Sequence, residues 1–388
     1  MSFEFSNLRV WLVHDWLTGW RGGEKILLEL VRMFPHARIA TLVHVPGSTH
    51  PELDARVAQT SFLQRLPGGR RHYRYYLPLF PRAVGSLKLD GACDLVLSVS
   101  HAVAKGVVPP ENGGGGVPHI CYCNTPMRYI WGLEGQYLSR CSPKRWALQA
   151  ATPALRRFDL DNRHVSLFVS NSQNIARRIQ RCYQRDALVV YAGIDHDYFT
   201  PATEKARAAF YLCAGALVGY KRIDLALRAF ASSPRRLVII GTGPEERRLR
   251  RVAGRAPNIT FLGRQPDDVL RDHYQRCRAF VFPGEEDFGL TPVEAQACGT
   301  PVIAYGAGGV LESVLQDAAH PTGVFFPEQT AASLGAAIER FEHTADAFQS
   351  ADFRASALRF TWEGFREGIA QAIRQVLERP AHPPLPTA

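Results

Sequence analysis

The sequence lacks any long hydrophobic run, and no stretch reaches the roughly 18 apolar residues that a membrane-spanning helix requires. Its first residues, MSFEFSNLRV, carry an early acidic residue and no basic segment followed by an apolar one, so we expect no signal peptide. Apolar residues make up 46% and charged residues 21% of the chain, a balance typical of soluble globular proteins. We therefore expect a chain that stays in the cytoplasm.

Metal-binding and redox patterns are also missing. None of the eight cysteines forms a Cys-x-x-Cys pair, and their spacing matches no zinc site. Several lie in apolar segments, where a reduced cysteine behaves as a small hydrophobic residue. Two Asp-x-Asp patterns, beginning at Asp159 and Asp195, match metal-dependent transferases, but a three-residue match is weak evidence. The sequence thus predicts neither a metal nor a cofactor.

A dinucleotide-binding fingerprint is absent as well. The nearest candidate, Gly241-Thr242-Gly243-Pro244-Glu245-Glu246, has Glu246 where the third glycine should stand. The following strand also ends without the acidic residue that binds a ribose in dehydrogenases. These departures argue against a dehydrogenase.

Acidic residues are absent between residues 55 and 89, where seven basic residues occur among aromatic and aliphatic ones. The net charge of +10 indicates an anionic partner, and no nucleic-acid-binding motif is present. We predict contact with an anionic membrane surface through residues 55–89. Prolines interrupt the segment, which excludes a single long amphipathic helix. The alternative is a solvated basic face anchored in the core. The basic residues are Arg56, Arg65, Arg70, Arg71, Arg74, Arg82 and Lys88.

Hydrophobic strands and amphipathic helices alternate along the chain, as in a doubly wound α/β protein. The 388 residues suffice for two domains of ordinary size. We place an N-terminal Rossmann-like domain at residues 1–192, a C-terminal one at 193–359, and a terminal helix at 360–378 that packs back on the first domain. A Pro-rich tail at 379–388 is predicted to be disordered. Ser172 is the predicted N-cap of a helix that reaches Tyr183.

The most informative stretch is Pro283–Pro301, PGEEDFGLTPVEAQACGTP, which follows a hydrophobic strand. We predict a loop through Phe288-Gly289-Leu290 and a helix that opens at Pro292. Glu286 and Glu294 bracket this loop at the carboxyl end of a parallel strand, the edge at which open α/β folds bind ligands. Two carboxylates there can accept hydrogen bonds from sugar hydroxyl groups.

A second strand-to-helix turn contains Gly22 and Gly23, and we expect the helix to begin near Glu24. Glycine lets the backbone approach a bound group closely, and a helix N-terminus favours an anion. A tight turn without a ligand is the alternative.

Together these stretches resemble the retaining glycosyltransferases of family 4, which have the GT-B fold of two Rossmann-like domains facing a central cleft. The likeness spans roughly residues 9–377 and is greatest to bacterial mannosyltransferases that use GDP-mannose in surface polysaccharide synthesis. Besides Pro283–Pro301, it is carried by His14-Asp15-Trp16-Leu17 with Gly22-Gly23, by Thr125-Pro126-Met127-Arg128-Tyr129-x-Trp131, and by Tyr220-Lys221-Arg222-Ile223-Asp224.

The resemblance implies transfer of a sugar, mannose from GDP-mannose above all, to a lipid-linked or saccharide acceptor, with an α-mannoside as product. It implies an enzyme peripheral to the inner face of the cytoplasmic membrane. Three residues are implied at the reacting centre, namely Glu286, Asn124 and Lys221. Donor-binding roles fall to Gly22, Gly23, Lys221, Arg222, Glu286, Phe288, Gly289, Leu290 and Glu294, and acceptor-side roles to Asp15, Arg128 and Tyr129.

Two residues depart from the family pattern. Ala216 stands where many members have an arginine, so Lys221 and Arg222 would stabilise the charge of the leaving diphosphate. Asn124 stands where many members have a histidine, and an amide cannot act as an acid or base. The leaving phosphate can itself take the acceptor's proton, and His101 is a conceivable substitute.

Two alternatives to a transferase remain, namely an inactive sugar-nucleotide-binding subunit of an assembly complex and a nucleotide-sugar epimerase.

Overall fold

The computed structural model describes residues 3–112, 115–131, 143–202, 208–316 and 319–378. The chain forms two compact units, which we call unit 1 (Met1–Tyr191 with Glu363–Ala388) and unit 2 (Ala192–Trp362). The tail predicted at 379–388 lies outside the described residues. Among the residues that the structure describes, none of the helices combines the length and apolar character that crossing a bilayer demands.

Unit 1 is built on a seven-stranded parallel sheet. Its strands, with a short antiparallel hairpin (β5 and β6) included, are β1 (Val10–His14), β2 (Arg38–Thr41), β3 (Val57–Thr60), β4 (Leu95–Ser100), β5 (Glu111–Asn112), β6 (Gly115–Gly116), β7 (His119–Cys123), β8 (Leu167–Ser170) and β9 (Ala187–Val189). The order in the sheet is β3-β2-β1-β4-β7-β8-β9. Every residue of β1, β4 and β7 is buried, as the nearly continuous apolar sequences of these strands predict.

Helices connect these strands in unit 1. They are α1 (Gly22–Met33), α2 (Pro51–Asp54), α3 (Gly69–His72), α4 (Phe80–Gly85), α5 (Pro143–Leu160) and α6 (Gln173–Tyr183). The Oγ atom of Ser172 accepts a hydrogen bond from the backbone N–H of Ile175 at 3.1 Å, which confirms the predicted N-cap of α6. Short 3₁₀ turns at Phe62–Arg65 and Tyr73–Leu79 flank α3, so the basic segment contains no long helix.

Unit 2 repeats the architecture with a six-stranded parallel sheet in the order β12-β11-β10-β13-β14-β15. The strands are β10 (Phe210–Ala214), β11 (Arg236–Ile240), β12 (Ile259–Gly263), β13 (Ala279–Phe282), β14 (Val302–Tyr305) and β15 (Gly323–Phe326). The helices are α7 (Ile223–Ala231), α8 (Glu246–Ala253), α9 (Asp267–Arg276), α10 (Leu290–Ala297), α11 (Val310–Ser313), α12 (Ala331–His343) and α13 (Ser350–Ala357). Two sheets of this kind confirm the predicted α/β class.

The terminal helix α14 (Trp362–Leu377) contributes most of its length to unit 1. The Phe365 ring lies 5.7 Å from the ring of Tyr122 in β7, and Arg366 Nε lies 2.6 Å from Glu29 Oε1 in α1. A Cβ atom added at Gly368 would lie 2.7 Å from the side chain of Val190, so only glycine permits this approach.

Candidate active site

The loop predicted to carry the two glutamates follows β13 at the carboxyl edge of the unit 2 sheet. Gly289 has a φ of +88°, a conformation that glycine adopts without strain, and it directly precedes α10. The helix therefore begins at Leu290, and the prediction that it opens at Pro292 is wrong by two residues. Pro292 still lies in the first helical turn, where its missing N–H costs no hydrogen bond.

Glu286 is held from two sides. Its Oε1 lies 2.7 Å from Lys221 Nζ, and both side chains are mostly buried. Its carbonyl oxygen accepts a hydrogen bond from Gly309 N at 2.9 Å, in the glycine turn after β14. A Cβ atom at Gly308 would lie 2.5 Å from that same oxygen. The loop and the glycine turn thus pack backbone against backbone, which fixes the Glu286 side chain in place.

Lys221 reaches this position because glycines surround it. A Cβ atom at Gly284 would lie 2.7 Å from Lys221 Cα, and one at Gly215 would lie 2.9 Å from Lys221 Nζ. Gly215 directly follows β10 and has a φ of +132°. The turns after neighbouring strands β10 and β13 therefore form a close-fitting channel for one ammonium group.

Glu294 lies one turn into α10 and is only 5% exposed. Its Oε2 accepts a hydrogen bond from Tyr274 Oη at 3.4 Å. Burial, with a smaller contribution from Glu294, raises the pKa of Tyr274 well above its usual range, so its hydroxyl group stays a donor. Phe288, also buried, places its ring 5.1 Å from that of Phe360 and anchors the loop between the two glutamates.

Arg222 has a different environment. It adopts a left-handed conformation with a φ of +49° before α7, and its Nε lies 3.1 Å from Asp224 Oδ1. Arg222 Nη1 lies 3.4 Å from Gln329 Oε1. Arg222 is thus part of a local ion pair, whereas Ala216 is exposed in the turn after β10.

In unit 1 the predicted Gly-Gly turn is part of a helix. Gly22 and Gly23 are the first two residues of α1, so the expectation that the helix begins near Glu24 is corrected by two residues. Glu24 is the third residue of α1 and is buried. Burial raises its pKa to about 7, against the opposing effects of the Arg21 charge and of the backbone groups of Glu24 and Arg21.

Gly23 lies beside the ends of β1 and β7. A Cβ atom there would lie 3.4 Å from the ring of His14 and 3.6 Å from Asn124 Nδ2. His14 Nδ1 lies 3.0 Å from the Val99 carbonyl oxygen, and its buried Nε2 has no hydrogen-bond partner among the residues described. Burial, reinforced by His101, lowers the pKa of His14 to about 4, so this ring is neutral near pH 7.

Asn124 directly follows β7 and is partly buried. Its backbone N–H donates to the Ser100 carbonyl oxygen at 2.8 Å. Asn171 Nδ2 donates to the backbone carbonyl oxygen of Asn124 at 3.3 Å and lies 3.5 Å from Asn124 Oδ1. The side-chain amide of Asn124 is thus oriented toward the start of α1.

Asp15 is fully buried and accepts hydrogen bonds from four consecutive backbone N–H groups, those of residues 101–104. Its Oδ2 also lies 3.0 Å from His101 Nδ1. These hydrogen bonds fix the loop that follows β4 to the buried Asp15 carboxylate. Sequence reasoning missed this pairing, because the partners are more than 80 positions apart.

Arg128 and Tyr129, predicted on the acceptor side, are partly exposed in the loop after β7. The same loop is tied down by Trp131, whose Nε1 donates to Asp159 Oδ2 at 2.6 Å. Asp159 is fully buried and lies 3.4 Å from Lys105 Nζ, so this half of the first Asp-x-Asp pattern belongs to a buried ion pair. Across the described ranges, no three His, Cys, Asp or Glu side chains are grouped closely enough to hold a metal ion.

Two family models match the chain. "Glycosyltransferase Family 4" matches residues 20–198, and "Glycosyl transferases group 1" matches residues 197–355. Among curated proteins, the D-inositol 3-phosphate glycosyltransferase of Mycolicibacterium smegmatis is 37% identical over 31% of this chain and 32% of the relative. The enzyme of that name from Geodermatophilus obscurus is 32% identical over 55% of this chain and 53% of the relative. The alignments thus span a third to about half of these relatives.

Solved structures agree on the fold. Sucrose-phosphate synthase (tll1590) from Thermosynechococcus elongatus superposes with a TM-score of 0.68 at 17% identity, covering 95% of this chain and 99% of that one. Anabaena Alr3699/HepE in complex with UDP-glucose gives 0.65 at 17% identity, covering 94% and 99%. The shared folds show the GT-B fold. Because the two family models together span residues 20–355, the chain belongs to the family 4 glycosyltransferases.

Proposed function

We propose that this protein is a retaining glycosyltransferase that moves a sugar from a nucleotide donor to a lipid-linked or saccharide acceptor. Mannose from GDP-mannose is the proposed donor sugar, with an α-mannoside as product. The observation that carries the proposal is the Lys221–Glu286 pair, 2.7 Å apart at the carboxyl edge of the unit 2 sheet. That edge is the ligand-binding edge of open α/β sheets.

The donor site would work as follows. Departure of a nucleoside diphosphate leaves negative charge on its phosphate oxygens, and a preorganised cation stabilises that charge as it develops. Lys221 supplies the cation, and Glu286 both orients it and hydrogen-bonds the sugar. Glu294 accepts hydrogen bonds from the ribose hydroxyl groups, and Phe288, Gly289 and Leu290 shape the loop between the glutamates.

Unit 1 would bind the acceptor. Arg128 and Tyr129 lie partly exposed beyond β7 and can contact it, whereas Asp15 is buried and acts by positioning the loop after β4. Asn124 donates or accepts a hydrogen bond and transfers no proton. In a front-face reaction the acceptor oxygen bonds to the sugar carbon on the side that the diphosphate leaves. The acceptor proton passes to a leaving phosphate oxygen.

A donor–acceptor panel tests this proposal. Purified protein is incubated with GDP-mannose, UDP-glucose or UDP-N-acetylglucosamine, each with octyl α-mannoside, D-inositol 3-phosphate or prenyl-diphosphate-linked N-acetylglucosamine. We expect transfer from GDP-mannose, with an α linkage by NMR. Transfer from a UDP sugar alone would overturn the proposed donor, and UDP donors are included because Alr3699/HepE binds UDP-glucose.

The same panel separates the alternative functions. A changed sugar without transfer would identify an epimerase. Thermal stabilisation by GDP without turnover of any donor would identify an inactive binding subunit, since a ligand stabilises the folded state by mass action.

The proposal includes peripheral attachment to the inner face of the cytoplasmic membrane through residues 55–89. Six of the seven basic residues there are exposed, with Arg56 the exception. Two aromatic residues of the segment are exposed as well, Phe62 at 37% and Tyr75 at 62%. Exposed cations beside exposed aromatic rings suit the headgroup region of an anionic leaflet.

A further inference from the structure

The loop that follows β4 carries His101, and the buried Asp15 carboxylate fixes the backbone of this loop. Asp15 Oδ2 accepts from the backbone N–H of His101 at 2.7 Å and of Ala102 at 3.0 Å, and Oδ1 from Val103 at 2.6 Å and Ala104 at 2.8 Å. Four such bonds fix the orientation of the buried Asp15 carboxylate and the backbone of residues 101–104. His101 therefore stands on a rigid turn at the carboxyl edge of the sheet.

The ring orientation of His101 follows from the same carboxylate. Nδ1 lies 3.0 Å from Asp15 Oδ2, which can only accept, so Nδ1 carries the hydrogen and Nε2 carries the lone pair. The ring also packs edge-on against Trp16 at 4.5 Å. The side chain is 29% exposed, and because Nδ1 is engaged by the buried carboxylate, Nε2 is the ring nitrogen left to contact a ligand.

Burial is the main reason that His101 is neutral near pH 7. Burial lowers its pKa below the ordinary value of 6.5, the Asp15 carboxylate opposes this shift, and Arg21, Arg128 and Arg74 reinforce it. His14, the other titratable group in contact, lies 5.8 Å away ring to ring and is itself neutral near pH 7. At pH 7, Nε2 of His101 is thus a hydrogen-bond acceptor.

The position of His101 relates it to Asn124. Ser100, the last residue of β4, pairs with Cys123, the last residue of β7. His101 and Asn124 are therefore the next residues on two adjacent strands. An imidazole is available one strand away from the amide that stands at the family's histidine position.

We propose that His101 Nε2 accepts a hydrogen bond from the attacking hydroxyl group of the acceptor saccharide, while Asp15 positions the ring. This inference rests on the proposed function and names the acceptor-side residue of that reaction. The bond between the sugar carbon and the diphosphate oxygen breaks, the bond to the acceptor oxygen forms, and the hydroxyl proton passes to the diphosphate. His101 orients the hydroxyl group and gains no proton overall.

The test compares His101→Phe, His101→Gln and a control, His36→Gln, at an exposed histidine in the turn before β2. The acceptor is whichever member of the panel above the wild type uses best. Misorienting a nucleophile typically costs about 10²-fold, so His101→Phe should lose about that much in kcat for transfer. His101→Gln should recover part of it, because an amide oxygen also accepts a hydrogen bond. The GDP Kd should be unchanged in both.

A pH profile separates this role from a structural one. Wild-type kcat should fall on the acid side as His101 takes up a proton and loses its lone pair, and this limb should be absent in His101→Gln. Undiminished transfer by His101→Phe, or an acid limb that persists in His101→Gln, would overturn the inference while leaving the transferase proposal intact. A wild type that transfers to no acceptor would overturn the proposed function itself, and this inference with it.

Discussion

At the scale of single residues, Lys221 is the side chain on which the proposed donor site most depends. Its ammonium group is mostly buried and lies 2.7 Å from Glu286. Removing one preorganised donor to a developing negative charge typically costs about 10²–10³ in kcat, so Lys221→Ala should lose about that much in steady-state assays. Arg222→Ala should lose less, because Asp224 already engages that guanidinium.

The controls for this prediction are a cation elsewhere and a chelator. Arg255→Ala, at an exposed position in unit 2, should keep wild-type kcat. EDTA should not reduce wild-type activity if Lys221 neutralises the diphosphate. An EDTA-sensitive enzyme, or a fully active Lys221→Ala variant, would contradict this account of the leaving group.

Replacing each of the two glutamates by glutamine should impair a different property, turnover for Glu286 and nucleotide binding for Glu294. Glu286 contacts Lys221, so Glu286→Gln should mainly lower kcat. Glu294, buried in α10, is proposed to bind the ribose, so Glu294→Gln should mainly weaken GDP binding. A hydrogen bond to a charged group contributes about 1.5–3 kcal/mol, which corresponds to about 10- to 100-fold in Kd. Calorimetric titration with GDP and steady-state kinetics would measure both, and equal effects on both quantities would refute the division of roles.

At the scale of elements, the start of α1 contains a buried glutamate whose protonation should affect stability. Glu24 titrates near pH 4.5 when unfolded and at about 7 when folded, so the folded state binds the extra proton between these values. The stabilisation from binding this proton is complete below pH 4.5 and is lost as the pH rises through 7. At about 1.4 kcal/mol for each unit of pKa difference, the free energy of unfolding falls by an amount on the order of 3 kcal/mol.

Glu24→Gln cannot titrate, so its free energy of unfolding relative to wild type should rise from pH 5 to pH 8. Denaturant unfolding at several pH values would measure this difference. Glu328→Gln, at an exposed glutamate, serves as the control and should show no such trend. A constant difference between Glu24→Gln and wild type would mean that Glu24 is already ionised at pH 5.

Local sequence patterns predicted the elements that carry the site. Strand β14 coincides with an apolar run, and the two glutamates bracket the loop after β13 as predicted. The starts of α1 and α10 were each placed two residues late. Before α10 the left-handed Gly289 permits the earlier start, a freedom that an apolar pattern does not reveal, and in α1 the two glycines are themselves the first helical residues. The strands β2, β3, β9 and β15 were not predicted; three of them, β3, β9 and β15, lie at the edges of their sheets and are only partly buried.

Pairings between distant residues could not be predicted. Lys221 and Glu286 are far apart in sequence, and so are Asp15 and His101. Their meeting depends on the strand order, which puts β10 beside β13 and β1 beside β4. Sequence reasoning treated His101 as a lone histidine because Asp15, its support, lies on another strand. The ion pair of Asp159 with Lys105, buried in the core, was missed for the same reason.

At the scale of the whole molecule, the net charge of +10 gives a long-range attraction to anionic surfaces. Within unit 1 the basic segment of residues 55–89 combines short helical turns with exposed cations, and no acidic residue within it offsets their charge. The described residues include other exposed arginines, such as those of α8, where carboxylates offset part of the charge because Arg248 pairs with Glu245 and Arg250 with Glu246. The segment is therefore the surface from which we expect membrane contact.

Charge reversal tests that expectation. Each basic residue near an anionic leaflet contributes about 1 kcal/mol, so replacing Arg70, Arg71 and Arg74 together by glutamate should release the protein from vesicles containing phosphatidylglycerol. A matched triple reversal at Arg247, Arg250 and Arg251 in α8 changes the net charge equally and should leave binding largely intact. Wild-type co-sedimentation should also weaken as salt rises, because exposed charges are screened beyond about 8 Å at physiological ionic strength. If both triple variants lose binding equally, net charge alone attracts the protein. If the wild type does not bind vesicles at low salt, residues 55–89 are a solvated face and the acceptor reaches the enzyme without a membrane docking surface.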